Sequence, residues 1–283
     1  MQSEFRNLVE RIENNDITLS FSALKAFASS PKDFMAYKLK DKVQTDAMLL
    51  GSVLHCIVLQ PDKFDKQYFV LNDNEICSQI GGAKPRATNA YKEWKMGIIE
   101  QSAGREIIEP DMYMKAFNMR NALMENAVSA KHLNKLTVKE HKVQWEYLGK
   151  RFTGYIDGAN IIKEGLIIAD LKKVVSAQPR KVERVIIDDM YYMQLAMYRI
   201  ALKQTFDFDV ELSKCYIIAV DENCHVSVNK IHADLLKYGE QRLEYYIKKF
   251  NECTFKDKWH EDYEFYSEYG GIFLVDRPAY TYK

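Results

Sequence analysis

Net charge and paired cysteines are what this sequence lacks. Lys and Arg together number 40 and so do Asp and Glu, so the formal net charge is zero. That argues against a protein that coats nucleic acid through bulk positive charge; any contact with a polyanion must come from a local cluster. The five cysteines, Cys56, Cys77, Cys215, Cys224 and Cys253, are odd in number and contain no C-x-x-C pair. Neither a disulfide framework nor a zinc site is indicated, and the grouped cysteines that an iron–sulfur cluster needs are missing. The thiols read as reduced and mostly buried. No signal peptide, transmembrane run or lipidation signal is seen, which predicts a cytoplasmic protein without a membrane partner. Internal repeats and low-complexity tracts are absent as well.

What is there is core-forming material. Of 283 residues, 47% are hydrophobic, enough for one large core or one core with a helical annex. Charge is unevenly placed. Between residues 172 and 184 the basic side chains Lys172, Lys173, Arg180, Lys181 and Arg184 face only Glu183. Residues 252–276 instead hold Glu252, Asp257, Glu261, Asp262, Glu264, Glu268 and Asp276 against Lys256 and Lys258. A solvated helix or loop accounts for the basic run; a phosphate-binding wall is the competing reading.

Periodicity and punctuation divide the chain. Residues 1–19 read as a short polar arm. Ser22 offers a cap for a helix over 23–28, and Ser30-Pro31-Lys32-Asp33 starts another at Pro31. A helix over 48–59 stops before Pro61 and carries His55. The Asn, Gly and Pro content of 72–90 reads as a loop, after which Thr88 caps a helix to about 101 and a short strand follows over 105–108. One long amphipathic helix is expected from 111 through 128. Val143, Trp145 and Tyr147 alternate with polar residues, Leu148-Gly149-Lys150 turns, and 152–156 returns, so a hairpin is predicted. A third strand over 166–171 has the continuous apolar run of a strand buried on both faces. Asp188 or Asp189 caps a helix to about 203. A strand over 214–220 then turns at 221–223 into 224–228, and a closing helix spans 231–250.

The stretch from Gly154 to Lys172 carries the chemistry. Asp157 closes the apolar segment 152–156, and Asp170-Leu171-Lys172 closes 167–169. If these segments pair, the two carboxylates can share a divalent cation. Hard oxygen ligands suit Mg²⁺ or Mn²⁺, and the Leu171 carbonyl can add another. Lys172 shares the face of Asp170, two residues away on a strand, where an ammonium group can hold the attacking water and stabilise developing negative charge. Gln194 and Tyr198, four apart, share one face of a predicted helix, although Met193 and Met197 beside them also fit a core.

Taken in order, Ser20-Phe21-Ser22-Ala23-Leu24 leading to Pro31 and Phe34, Gly51-Ser-Val-Leu-His55, Glu140 with Trp145, Gly154-Tyr-Ile-Asp157, Asp170-Leu-Lys172 and Gln194-Leu-Ala-Met-Tyr198 carry a resemblance. From about Leu19 to at least Leu202 the chain resembles the PD-(D/E)XK nuclease superfamily in its RecB-like branch, most closely the exonuclease VIII (RecE) nuclease domain of phage and prophage recombination modules. The resemblance implies an α/β restriction-endonuclease-like core, ordered helix, three strands, helix, strand, with N-terminal helical additions. Residues 1–283 would form a single nuclease domain: a helical part over 1–110, the core over 111–251 and a C-terminal extension over 252–283.

The resemblance also assigns roles. His55, Glu140, Asp157, Asp170 and the Leu171 carbonyl would hold Mg²⁺, or Mn²⁺, with Lys172 catalytic and Gln194 and Tyr198 facing the scissile strand or the lysine. Glu146 competes with Glu140 for the acidic position. Ser20 and Ser22 would meet DNA phosphate, although helix capping also explains them. The implied activity is 5′ to 3′ degradation of linear duplex DNA from an end, leaving a 3′ strand for a single-strand annealing protein, by a ring-shaped homo-oligomer. The alternatives are an endonuclease or flap nuclease of the same fold, or a non-catalytic module that binds DNA ends. Two departures bear on phosphate contacts and spare the metal ligands: Lys173 stands where relatives have threonine, and Gly154-Tyr-Ile-Asp157 replaces an arginine-containing approach to the aspartate.

Overall fold

The computed structural model describes residues 2–41, 43–162, 165–206, 213–267 and 270–273. In chain order the helical first part holds α1 (Gln2–Glu13), the two-residue β1 (Thr18–Leu19), α2 (Phe21–Ser29), α3 (Pro31–Leu39), α4 (Asp46–Leu59), α5 (Phe64–Gln67), β2 (Tyr68–Val70), α6 (Asn74–Ile80), α7 (Asn89–Ser102) and β3 (Glu106–Ile108). There follow α8 (Pro110–Glu125), α9 (Ala127–Asn134), β4 (Val138–Tyr147), β5 (Lys150–Ile162), β6 (Gly165–Lys173), α10 (Pro179–Asp188), α11 (Tyr191–Thr205), β7 (Lys214–Val220), β8 (Val226–Lys230) and α12 (Ala233–Phe255). The expected order of helix, three strands, helix and strand is present from α8 to β7. Among the described residues no helix is long and apolar enough to cross a membrane.

One mixed sheet organises the fold. Its strands run β1-β5-β6-β7-β8, with β4 also paired to β5. The β4–β5 hairpin is antiparallel, as are β5–β6 and β7–β8, whereas β6 and β7 are parallel across the α10–α11 crossover. Side chains alternate across a strand, so β6 splits its apolar residues between two cores. Leu166 and Ile168 join the core packed by α2, α3, α11 and α12; Ala169 and Leu171 join the one packed by α4 and α8. This is the double burial that its unbroken apolar run predicts.

Several boundaries differ from expectation, each for a local reason. Residues 2–13 are a helix, not an arm: Phe5, Leu8, Val9 and Ile12 recur at helical spacing, and Leu8 and Ile12 are buried. The cap of α2 is Ser20, two residues earlier than Ser22, with its hydroxyl accepting from the Ala23 N–H at 3.2 Å. Ser30 caps α3 as predicted, accepting from Asp33 N–H at 3.0 Å. The helix expected through 128 is two, because Asn126 leaves helical backbone and its side chain caps α9 by accepting from Val128 and Ser129. Neither Asp188 nor Asp189 caps α11; Asp188 ends α10, and Met190 enters α11 from the left-handed region at φ 55. The last hairpin returns at Val226, since Cys224 turns at φ 64.

The C-terminal extension is in part core. Trp259 and Phe265 are buried with Phe27, Phe34 and Phe250 in an edge-on aromatic cluster that joins α2, α3 and α12. Its acids are partly neutralised, Glu252 by Lys249 and Lys256, Asp262 by Lys32 and Glu261 by Lys258. Glu268 and Asp276 lie outside the described residues.

The expected loop over 72–90 holds α6 and a 3₁₀ turn at Pro85–Ala87, tied down by one buried acid. Asp73 accepts a two-pronged contact from Arg86, Nε at 2.6 Å and a terminal nitrogen at 2.9 Å, and the Tyr91 hydroxyl at 2.7 Å. Those partners, Arg86 foremost, hold its carboxyl below the ordinary 3.8, at about 2. A depressed acid stabilises the fold above its unfolded pKa and loses that contribution as pH falls through the folded one. Acid titration by circular dichroism should therefore show stability draining between about pH 4 and pH 2, and Asp73→Asn should flatten that limb; an identical limb in the variant would dissociate Asp73 from it.

Candidate metal centre

The β5–β6 ladder runs as far as the pair Gly158 and Ala169 and then stops. Beyond it β6 remains paired to β7 through Lys173, while β5 meets β1 only at Arg151 and Phe152. The strands part where Asp157 and Asp170 stand. A side chain closes the gap: Asp157 Oδ2 accepts the Leu171 N–H at 2.7 Å, satisfying a buried donor that has lost its ladder partner. Asp157 thus lies within β5 and not at its end, and the strand continues to Ile162.

Glu140 reaches the same place through a backbone kink. The β4–β5 pairs step from Lys139 and Gly158 to His141 and Ile156, skipping Glu140. Glu140 has φ 44, a left-handed conformation that a non-glycine side chain holds at about 1–3 kcal/mol. At this point the alternation of β4 changes phase, with Val138 and Glu140 half-buried before it and Val143 and Trp145 buried after it. Glu146 stays on the exposed face. Of the two competing acids, the structure brings Glu140 to the cluster.

The third donor comes from the other layer. In α4, His55 is half-buried and its ring is bridged at both nitrogens, Nδ1 to Glu140 Oε1 at 3.2 Å and Nε2 to the Leu171 carbonyl at 2.8 Å. Asp157 Oδ2 lies 3.7 Å from Nδ1. Burial pushes the imidazole down, but the charge of Asp157 and the Glu140 hydrogen bond outweigh it, and the result is pushed up to about 9. With an acceptor at each ring nitrogen, both donate, and His55 carries positive charge in the cluster. One ligand atom each from His55, Glu140 and Asp157 falls within 4.8 Å of the others.

Asp170 and Lys172 face each other beside this cluster. Asp170 is 1% exposed, and burial, with Asp157 nearby, pushes its carboxyl up to about 6 against the pull of Lys172. Lys172 Nζ lies 2.6 Å from Asp170 Oδ2. The contact is ionic but poorly aligned, since neither Asp170 oxygen has a hydrogen bond of acceptable geometry. Burial opposes the Lys172 charge, yet Asp170 and Asp157 together raise its pKa, so it remains an ammonium group. On the α11 side, Gln194 Nε2 donates to the Tyr198 hydroxyl at 2.8 Å and leaves its own buried Oε1 without a partner. Gly154 admits the tyrosine: a Cβ there would stand 3.1 Å from Tyr198 Cε1.

These side chains fit a divalent cation. The set is hard and oxygen-rich, with one imidazole, one carbonyl and three carboxylates. Two buried Asp170 oxygens lack aligned donors, a state that a bound cation would relieve. The cluster opens into a cavity of about 750 Å³ lined also by Gly51, Tyr155 and Lys173. No neighbour would meet a Cβ at Gly51, so the approach beside His55 is open.

The basic run is divided. Lys172 turns inward, Lys173 is paired with Glu222 at 2.8 Å, and Arg180, Lys181 and Arg184 lie exposed on α10 over buried Val182 and Ile186. Those three do not line the cavity, so a continuous basic wall at the metal is not what the run forms. Ser20 is engaged in its cap. The expectations drawn from the sequence omitted Tyr191, whose ring centroid lies 4.7 Å from Lys172 Nζ. Its signal was present: it precedes Gln194 by three residues and so shares a helix face with it.

Calorimetric titration with Mn²⁺ separates the two acids. Glu140→Gln and Asp157→Asn should each weaken binding by more than the roughly 10–100-fold that outer-shell changes cost, and Glu146→Gln should leave it unchanged. Equal loss from both glutamate variants would remove Glu140 from the ligand set.

Comparison with known proteins places this geometry. No curated protein matches the chain. A crystal structure of a candidate exonuclease from Eubacterium rectale superposes with a TM-score of 0.59 at 14% identity, covering 94% of this chain and 92% of that one. That likeness speaks to fold. The structure of SSO0001 overlaps at a TM-score of only 0.28 with 15% identity, over 72% of this chain and 84% of that one, too little to carry an argument. The family model described as PDDEXK-like domain of unknown function (DUF3799) matches residues 20–264, a span that includes every residue of the cluster; the chain belongs to that family and has the PD-(D/E)XK nuclease fold.

Proposed function

We propose that the protein is a divalent-metal-dependent deoxyribonuclease whose site is the centre just described. The observation that carries the reading is the convergence of His55, Glu140 and Asp157 within 4.8 Å, beside the Asp170–Lys172 pair, on a PDDEXK-like fold. His55, Glu140, Asp157, Asp170 and the Leu171 carbonyl would hold Mg²⁺, with Mn²⁺ an alternative. When bound, the cation supplies Lewis acidity toward a phosphate oxygen. His55 must give up its extra proton to ligate.

The remaining work falls to the chain. Lys172, held charged by Asp170, donates hydrogen bonds to the attacking water or to the phosphate oxygens as negative charge grows. Gln194 presents its free carbonyl oxygen and, through its amide, orients the Tyr198 hydroxyl. Burial of Asp170 and Tyr198 keeps bulk water from screening these charges.

The finer reading is a 5′ to 3′ exonuclease on linear duplex DNA that acts in the cytoplasm, leaves 3′ strands for a single-strand annealing protein and works as a ring-shaped homo-oligomer. It rests on the motif resemblance to exonuclease VIII. Digestion of duplex labelled at either end, with and without chelator, tests class, metal requirement and polarity together. Nucleotides should leave from the 5′ end of linear DNA only, and closed circles should survive. Asp170→Ala should abolish release, and Lys172→Ala should retain metal binding but slow turnover by roughly 10²–10⁴-fold. Full activity in either variant, or cleavage that survives chelation, would show the centre to be misassigned.

A further inference from the structure

We propose that Tyr155 is a base-stacking platform at the mouth of the metal cavity, so that the strand entering the centre is bound single-stranded; this deepens the nuclease reading and rests on it. Tyr155 stands two residues before Asp157 on β5 and lines the same cavity as His55, Glu140 and Lys172. Unlike its neighbours it is not core: 56% of it is exposed. Its partner across the hairpin is Lys142, also exposed, and directly opposed residues share a face.

That face continues away from the cavity through the pairs Gln144 with Thr153 and Glu146 with Arg151. The opposite face of the same hairpin buries Val143, Trp145 and Phe152 in the core. The hairpin therefore offers an open polar surface that begins at the metal centre, with one aromatic ring at its inner end. Lys142 beside the ring and Lys63 at the cavity supply positive charge for a polyanionic backbone, whereas Lys172 and Lys173 are paired with Asp170 and Glu222.

The chemistry selects the occupant. A tyrosine ring carries no cation for a phosphate but offers a flat apolar face that stacks on any base. In a duplex both faces of an internal base are already covered. Only an unpaired or terminal base has a free face, so a ring at the cavity mouth favours a strand already separated from its complement. An aromatic ring interleaved with lysines along one surface is the combination by which proteins hold single strands without reading sequence.

Fluorescence anisotropy of a labelled oligothymidylate, in chelator to prevent cleavage, tests this. Tyr155→Val, which keeps a strand-forming side chain, should weaken binding roughly tenfold, and Tyr155→Phe should bind as the parent does. An oligonucleotide of equal length with abasic sites should bind the parent protein as weakly as oligothymidylate binds Tyr155→Val, and lose nothing more in the variant. Equal binding of intact and abasic strands by the parent overturns the platform without reference to any variant, as does a Tyr155→Phe loss matching that of Tyr155→Val. The two readings fail differently. A parent protein that binds and cuts DNA just as Tyr155→Val does sinks this inference alone, whereas one that neither binds nor cuts DNA sinks the nuclease reading beneath it.

Discussion

A carboxylate doing the work of a peptide carbonyl is the interaction on which this architecture turns. Where the β5–β6 ladder ends at Gly158 and Ala169, Asp157 takes the Leu171 N–H. A backbone pair at that point would keep the strands closed and leave no room between them. The side-chain bridge satisfies the donor while letting the strands diverge, so Leu171 and Lys172 line the cavity and Asp170 sits buried behind them. Parallel pairing of β6 with β7 holds the far side rigid through Lys173. The opening is thus confined to one edge of one strand.

Around that opening the fold concentrates charge that a buried setting penalises. Three carboxylates are balanced by the imidazolium of His55 and the ammonium of Lys172, one delivered by α4 from one face of the sheet and the other by β6. The balance explains the directions of the perturbed groups: the acid at 170 is pushed up by burial, and the two cations are held charged by the acids around them. Neutralisation is incomplete in geometry, since the Asp170 oxygens lack aligned donors. The PDDEXK-like family assignment and this unsatisfied, oxygen-rich cluster point to the same chemistry.

Much of the site was legible in the sequence because it depends on short spacings. Asp170 and Lys172 share a face by strand alternation, Gln194 and Tyr198 by helical spacing, and the hairpin by its turn residues and alternating pattern. Ser30-Pro31 announced its helix through cap chemistry. What escaped depends on contacts that no local pattern encodes. Glu140 joins the cluster only because its backbone goes left-handed in mid-strand and reverses the phase of β4, whereas ordinary alternation is silent on the choice between it and Glu146. The meeting of His55 with Leu171 links residues 116 positions apart, and in this chain the ordered motif resemblance supplied that link. The basic run after Lys172 follows the plainer of its two readings: Arg180, Lys181 and Arg184 lie exposed on a solvated helix, and proximity in sequence did not bring them into the site. At Phe5, Leu8, Val9 and Ile12 the helical spacing was present, but polar residues on every side obscured it.

Everything proposed for this site requires its side chains to converge on one cation. Anomalous diffraction from crystals soaked in Mn²⁺ measures it directly. A strong peak should appear bonded to Asp157, Glu140 and His55, with Asp170 and the Leu171 carbonyl completing the shell and the His55–Leu171 hydrogen bond broken. A peak on other residues, or a cluster that excludes the ion and keeps His55 bridged between Glu140 and Leu171, would contradict it.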